Sequence, residues 1–151
     1  MASIEKELKS KKFTSEQVKS NLNVMFTSNW LNNQVSALLK PFNITSEQYN
    51  VLRILKGQHP NSICQKEILA RMIAKQSNIT LIIRKLKDKK LVEVERLEAD
   101  RRHYEITISD LGLSLLVKVD VVFNEEMPKI NHLSVSEAFH LNSLLDKARG
   151  V

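Results

Sequence analysis

The sequence predicts a mainly α-helical fold with one short β-ribbon, and three observations support this prediction. The 151 residues include only three glycines and three prolines, too few for an all-β chain with many turns. Apolar residues recur at spacings of three and four over most of the chain, which is typical of amphipathic helices. Alternation of apolar and polar residues, which is typical of strands, is confined to residues 92–108. One soluble domain of ordinary size accommodates these elements.

The first third of the chain predicts two helices that begin with the same Thr-Ser-Glu-Gln capping sequence. Thr14 is expected to cap the first helix, which Pro41 should end near Lys40, because the residue before a proline disfavours helical geometry. At about 1.5 Å per residue this helix would be roughly 40 Å long, which is long for a compact monomer. Thr45 caps the second helix, and Gly57 ends it.

The centre of the chain predicts a helix-turn-helix followed by a β-ribbon. A short helix runs from about Gln65 to Met72, and a second helix begins with Ser77 as its N-cap. The second helix has an apolar face with spacing i, i+3, i+4, i+7, formed by Ile79, Ile82, Ile83 and Leu86. Residues 92–97 and 103–108 then alternate as two antiparallel strands with a polar tip between them. This order of elements is that of a winged helix.

The C-terminal third predicts a long helix, capped by Ser109 and ended by Pro128, and a final helix that Ser134 caps. The long helix is apolar on more than one side, through Leu113, Leu115, Leu116, Val117, Val119, Val121, Val122 and Phe123. The terminal helices therefore offer more apolar surface than a winged helix can cover, and a second copy of the chain would cover it economically. We expect Leu116 and Phe123 to lie at that dimer interface.

The predicted architecture is therefore a winged helix-turn-helix with long N- and C-terminal dimerisation helices. We expect residues 42–110 to form the winged helix-turn-helix lobe. Residues 1–41 and 111–151 form the helical dimerisation region of the same compact chain.

Positive charge is concentrated in the helix-turn-helix. The chain has 23 Lys and Arg against 17 Asp and Glu, a net charge of +6, and residues 71–90 alone contain seven basic residues and one acidic residue. One basic segment thus equals the whole excess, which favours an anionic partner such as nucleic acid. The alternative interpretation is a solvated basic helix face.

The second helix of this motif turns side chains outward that suit a major groove. Arg84 could bind guanine, Asn78 adenine, and Leu81 a thymine methyl group. At the ribbon tip, Asp100 could orient a neighbouring arginine for a narrow minor groove or for phosphates. The candidate DNA-binding residues are Lys75, Gln76, Ser77, Asn78, Thr80, Leu81, Arg84, Lys85, Asp100, Arg101 and Arg102.

Other classes of function find little support in the sequence. The single cysteine, Cys64, cannot form an intramolecular disulfide, and the charged N-terminus does not resemble a signal peptide. No apolar run approaches the roughly 18 residues of a membrane span, so we expect a cytoplasmic protein without a membrane partner. The four histidines are scattered, so neither a metal nor another cofactor is expected. Phosphate-binding glycine loops and nucleophile elbows are absent, so we do not expect an enzyme.

The stretch from Ile63 to Gly112 resembles the multiple-antibiotic-resistance regulator (MarR) family of bacterial winged-helix repressors, and the flanking helices match the layout of that family. The family pattern at the wing is D-x-R-D-x-R, five residues, then L-T-x-x-G. This chain has L-E-A-D-R-R, five residues, then I-S-D-L-G. The second D-x-R and the glycine are in register, whereas Leu97 and Ala99 replace the first Asp and Arg. One anchor of the wing is therefore missing.

Two further departures lie in the helix-turn-helix. Lys90 stands where the family often has glycine, and Cys64 stands where it usually has a threonine cap. The resemblance implies a dimeric transcription factor, usually a repressor, that occupies a pseudo-palindrome and is released by a small ligand or by oxidation.

Many members of the family respond to phenolic or aromatic compounds. Such an effector could reach Trp30, Phe26 and Phe42, but aromatic residues at helical spacing are more often core, and we assign no ligand-binding residues. Two alternatives remain open at this point. One is a redox-responsive regulator that uses Cys64, and the other is a winged helix that serves as a protein-interaction module.

Overall fold

The computed structural model describes residues 3–10, 12–73, 78–96 and 104–151. Within these ranges the chain is mostly helical, as the sequence predicts. In chain order the elements are α1 (Ile4–Glu7), α2 (Glu16–Leu39), α3 (Ser46–Lys56), β1 (Ile63–Cys64), α4 (Gln65–Arg71), α5 (Ile79–Asp88), β2 (Val92–Arg96), β3 (Tyr104–Ile108), α6 (Asp110–Ile130) and α7 (Val135–Arg149). A 3₁₀ turn at Lys40–Phe42 follows α2.

The strands form an antiparallel sheet in the order β1-β3-β2. The predicted ribbon is β2 and β3, paired from Val92 opposite Ile108 to Arg96 opposite Tyr104. The sequence analysis missed β1, which pairs Ile63 with Ile106. A strand of two residues shows no alternation, so periodicity could not reveal it.

The fully buried side chains come from α2 to α6 and the sheet. They include Leu39, Leu52, Leu55, Ile68, Leu86, Ile106 and Leu116. Leu116 is thus part of the protomer's own core, and our expectation that it lies at a dimer interface is wrong. One protomer already removes its side chain from water, so a second copy has nothing left to cover there.

Two predicted N-caps are displaced by one residue. Ser15, not Thr14, caps α2, because the Ser15 hydroxyl accepts a hydrogen bond from the backbone N–H of Val18 at 3.2 Å. Asn78, not Ser77, occupies the N-cap position of α5, and its side chain makes no capping hydrogen bond. Ser77 itself lies outside the described residues.

The cap at Thr45 is confirmed. The backbone N–H of Gln48 donates to the Thr45 hydroxyl at 3.3 Å, and the Gln48 side chain accepts from the backbone N–H of Thr45 at 3.2 Å. Both donors would otherwise be unsatisfied at the helix start. Helix α3 therefore begins where the sequence predicts.

Pro128 does not end α6, which continues to Ile130. A proline removes one helical hydrogen bond, and the next turn still closes because the N–H of Asn131 donates to the carbonyl of Met127 at 3.2 Å. The predicted cap of α7 is confirmed, since Ser134 and Glu137 form a capping box.

The chain divides into two compact units, one up to Leu116 and the other from Val117 to Val151. This boundary lies within α6. The functional division into residues 42–110 and the two flanking segments stays a prediction. No helix of the described residues is both long and apolar enough to cross a membrane.

Candidate nucleic-acid interface

Helix α5 is amphipathic, and its polar side is open to solvent. Ile79, Ile83 and Leu86 are buried on one side, where α5 packs on α3, α4 and β2. Four of the predicted DNA-binding residues are exposed: Asn78, Thr80, Arg84 and Lys85. Leu81, predicted to point outward, and Ile82, predicted to point inward, are both half-buried.

Thr80, Arg84 and Lys87 form a stripe along the exposed side. Their spacing of i, i+4, i+7 places them on one face, one helical turn apart. All three are exposed. A hydroxyl and two cations in a row can approach base edges and phosphates together.

The C-terminal end of α5 is closed by a left-handed turn. Lys90 has φ of 59°, and its N–H donates to the carbonyl of Lys87 at 2.8 Å. The N–H of Leu91 donates to the carbonyl of Leu86 at 3.0 Å, and both of these leucines are buried. This pattern is a Schellman motif, which normally has glycine at the position of Lys90. Lys90 therefore adopts a conformation that is strained for a residue with a side chain.

Hydrogen bonds at the start of α6 stabilise the same turn. The Ser109 hydroxyl donates to the carbonyl of Lys90 at 2.7 Å and accepts from the N–H of Gly112 at 3.1 Å. A Cβ atom on Gly112 would lie 2.3 Å from the carbonyl oxygen of Leu91. Gly112 is thus needed for this close approach, which gives a physical reason for the glycine at the end of the wing pattern.

Lys89 belongs to the basic segment, but its ammonium group forms hydrogen bonds within the protein. Its ammonium group donates to the side-chain oxygen of the buried Gln48 at 3.1 Å and to the carbonyl of Asn43. Desolvation lowers the pKa of Lys89, and the positive charge of Lys85 lowers it further. Sequence analysis could not separate Lys89 from its neighbours, because its partners lie more than forty positions away in the chain.

A hydrogen bond joins the N-terminal end of α5 to α4. The side-chain N–H of Gln65 donates to the hydroxyl of Thr80 at 2.8 Å. After α4, the N–H of Ile73 donates to the Asn50 side chain at 3.0 Å. Gln65 was not among the predicted interface residues, and a bond across 15 positions leaves no sequence signal.

The described part of the wing is its two strands. The Arg96 guanidinium lies 6.0 Å from the ring centre of Tyr104, a distance suited to a cation–π contact. The predicted residues Asp100, Arg101 and Arg102 lie outside the described residues. So do Lys75, Gln76 and Ser77 before α5.

The outer face of the sheet is acidic. Glu95 lies directly opposite Glu105 in the strand register, and Glu93 lies opposite Thr107. These side chains and His59 line a cleft of about 470 Å³. Negative charge repels phosphate, so this face does not belong to the candidate interface. No group of three metal-ligating side chains occurs among the described residues.

Cys64 is half-buried where β1 meets α4. Its backbone N–H donates to the Glu67 carboxylate at 3.2 Å, so Glu67 caps the helix start. The redox role of Cys64 stays a prediction. Trp30, Phe26 and Phe42 are each half-buried and do not line the acidic cleft.

A family model described as the MarR family matches residues 44–104. The match begins just before α3 and ends at the start of β3, so it includes the helix-turn-helix. No curated protein matches the chain.

Solved structures share the fold over nearly their whole length. A MarR transcription factor from Planctomyces limnophilus is 27% identical with a TM-score of 0.69, covering 89% of this chain and 98% of that one. The S. aureus MepR–DNA complex is 24% identical with a TM-score of 0.74, covering 92% and 98%. Bordetella bronchiseptica BpsR, whose DNA binding is regulated by 6-hydroxynicotinic acid, is 21% identical with a TM-score of 0.69, covering 83% and 97%. The fold is that of MarR-type winged helices.

Proposed function

We propose that this chain, whose residues 44–104 match a model of the MarR family, is a sequence-specific, DNA-binding transcriptional regulator. In this proposal the protein is cytoplasmic and acts as a homodimer on a pseudo-palindromic operator. It represses transcription and performs no enzymatic reaction. A small aromatic or phenolic effector modulates its binding to double-stranded DNA.

The observation that carries the proposal is the exposed stripe of Thr80, Arg84 and Lys87 on α5. An α-helix fits the major groove, where the bases present distinct patterns of donors and acceptors. Arg84 can bind guanine through two hydrogen bonds, while Lys85 and Lys87 can contact phosphates. The DNA complex of the similar MepR protein supports this use of the fold.

Fluorescence anisotropy across a salt series tests the proposal. The probes are a duplex of the DNA upstream of the coding sequence and a scrambled duplex of the same composition. We expect the upstream duplex to bind roughly a thousandfold more tightly at physiological salt. Equal binding to both, with only a steep salt dependence, would contradict sequence-specific recognition of that DNA.

Arg84→Ala tests the base contact directly. Loss of a bidentate pair with guanine should weaken specific binding by about 1–3 kcal/mol. Arg149→Ala is the matched control, because it removes the same charge from the last turn of α7. If both variants bind as the wild type does, α5 is not the reading element.

A homodimer is proposed because apolar side chains on the terminal helices are exposed in one protomer. Phe139 and Leu144 on α7 are 68% and 63% exposed, and Met25 on α2 is 69% exposed. A second copy would cover such residues, and a two-fold axis would place the two α5 helices about 34 Å apart on DNA. Phe139→Asp should yield a folded monomer by light scattering, while Asn142→Asp should leave the dimer intact. A dimeric Phe139→Asp would contradict the use of α7.

The wing is proposed as a second contact on the strength of the Asp100-Arg101-Arg102 spacing. Arg102→Ala should weaken DNA binding without changing the oligomeric state, since the side chain would reach a minor groove or phosphates. Unchanged affinity in the same anisotropy titration would contradict this role.

Modulation by an effector is supported by the similar BpsR protein, whose DNA binding is regulated by 6-hydroxynicotinic acid. We expect at least one hydroxylated aromatic acid to release the duplex when it is titrated into the preformed complex. Binding that no compound of this class changes would contradict this part of the proposal.

A further inference from the structure

The hydrogen bond between Gln65 and Thr80 joins the first residue of α4 to the second residue of α5. Thr80 is exposed, and it lies one turn from Arg84 on the stripe that the proposed function assigns to DNA. Gln65 is half-buried. Thr80 is thus exposed on the candidate interface, whereas its partner Gln65 is only partly accessible.

The direction of this bond determines what the Thr80 hydroxyl can offer to DNA. A hydroxyl has one hydrogen to donate and two lone pairs that accept. The Gln65 amide N–H occupies one lone pair at 2.8 Å, so the hydroxyl hydrogen must point away from Gln65.

We propose that Gln65 and Thr80 form one base-reading unit, in which Gln65 holds the Thr80 hydroxyl as an outward hydrogen-bond donor toward a base edge in the major groove. This inference rests on the proposed function and names a source of its specificity. Guanine N7 and O6, adenine N7 and thymine O4 accept such a bond, whereas cytosine presents a donor at the same edge. Facing cytosine, the same hydroxyl can accept only through its one remaining lone pair, so the unit disfavours cytosine at the base that Thr80 contacts, and Gln65 acts as a positioning residue.

The test begins with the sequence that wild-type protein selects from a pool of random duplexes. Each position of the selected duplex is then replaced by all four base pairs, and dissociation constants are measured by anisotropy. At one position in each half-site, cytosine should weaken wild-type binding about tenfold or more. If wild-type protein selects no sequence, the proposed function fails, and this inference fails with it.

Two variants remove or retain the donor. Thr80→Val keeps the shape of the side chain but lacks the hydroxyl, so the penalty for cytosine should fall to about twofold or less. Thr80→Ser keeps the hydroxyl and should keep the penalty. Circular dichroism and thermal unfolding establish that both exposed-site variants are folded. A Thr80→Val protein that still rejects cytosine as the wild type does would overturn the inference.

Gln65→Glu tests the positioning role, because a carboxylate only accepts hydrogen bonds. The Thr80 hydrogen should then turn toward the introduced carboxylate, leaving lone pairs outward, and cytosine should no longer be penalised. Gln58→Glu is the matched control, since it adds the same charge at a side chain that bonds to the Gly57 carbonyl. It should lower affinity for all duplexes equally. If Gln65→Glu also lowers affinity for all duplexes equally and leaves the penalty for cytosine unchanged, Gln65 does not orient Thr80.

Discussion

Helices α5 and α7 are both regular, but different contacts stabilise them. Helix α5 has 10 residues, lacks a side-chain hydrogen bond at its N-cap, and buries one face in the protein core. Helix α7 has 15 residues and a capping box at its start, and none of its residues is buried. Helices of this length are marginal in water without tertiary packing. The difference indicates that core packing stabilises α5, whereas the packing that would stabilise α7 is assigned by the proposed function to a second copy of the chain.

Leucine-to-alanine substitutions should give the largest difference in stability between variants of α5 and α7. Leu86→Ala removes a fully buried side chain and should cost about 2–5 kcal/mol of unfolding free energy at any protein concentration. Leu144→Ala changes an exposed side chain, so it should destabilise the protein only where the dimer is populated. Urea unfolding at two concentrations about a hundredfold apart measures both effects. A large, concentration-independent loss in Leu144→Ala would contradict the comparison.

Glycine substitutions test the left-handed turn that ends α5. Lys90→Gly relieves the positive φ and should stabilise the protein by up to about 1 kcal/mol, because glycine adopts this conformation without a steric penalty. Lys87→Gly places the same residue inside α5 and should destabilise by about 1 kcal/mol. Thermal unfolding of the two variants measures the difference in sign. If both changes destabilise equally, the turn at Lys90 is not strained.

Lys89 and Lys87 should differ in how they affect DNA binding. Lys87→Gln removes an exposed charge and should reduce the slope of log Kd against log salt by about one per protomer. Lys89→Gln removes a cation that bonds to Gln48 and Asn43, so the slope should stay unchanged even if affinity falls. Anisotropy over a series of salt concentrations gives both slopes. An equal reduction in slope would mean that Lys89 contacts phosphate instead.

The cap of α7 should make a small, pH-dependent contribution. Hydrogen bonds from Ser134 lower the pKa of Glu137 from its ordinary value of 4.5. A carboxyl group with a lowered pKa in the folded state stabilises that state above its unfolded pKa, and this contribution is lost as pH falls through the folded value. The helical circular dichroism signal should therefore decrease below about pH 4.5. In Ser134→Ala this acid-dependent step should shrink, and an unchanged step would contradict the role of the cap.

Local patterns in the sequence were sufficient for most of the fold. The spacing of apolar residues indicated α5, the Thr45 capping sequence marked the start of α3, and alternation indicated β2 and β3. These features depend on contacts within a few residues or on one repeated period, so they can be read directly. Among the candidate site residues, the exposed positions of Asn78, Thr80, Arg84 and Lys85 follow from the same helical periodicity.

Contacts between distant parts of the chain could be found only in the tertiary structure. Sequence alone could not reveal that Lys89 bonds to Gln48, that Gln65 bonds to Thr80, or that Leu116 belongs to the protomer's core. The physical reason is that a side chain's role depends on its neighbours in space, and residues far apart in sequence become neighbours only after folding. The amino-acid pattern by itself determined the elements and the basic character of α5, whereas the tertiary structure decided which polar and basic residues bond within the protein and which stay exposed on that helix.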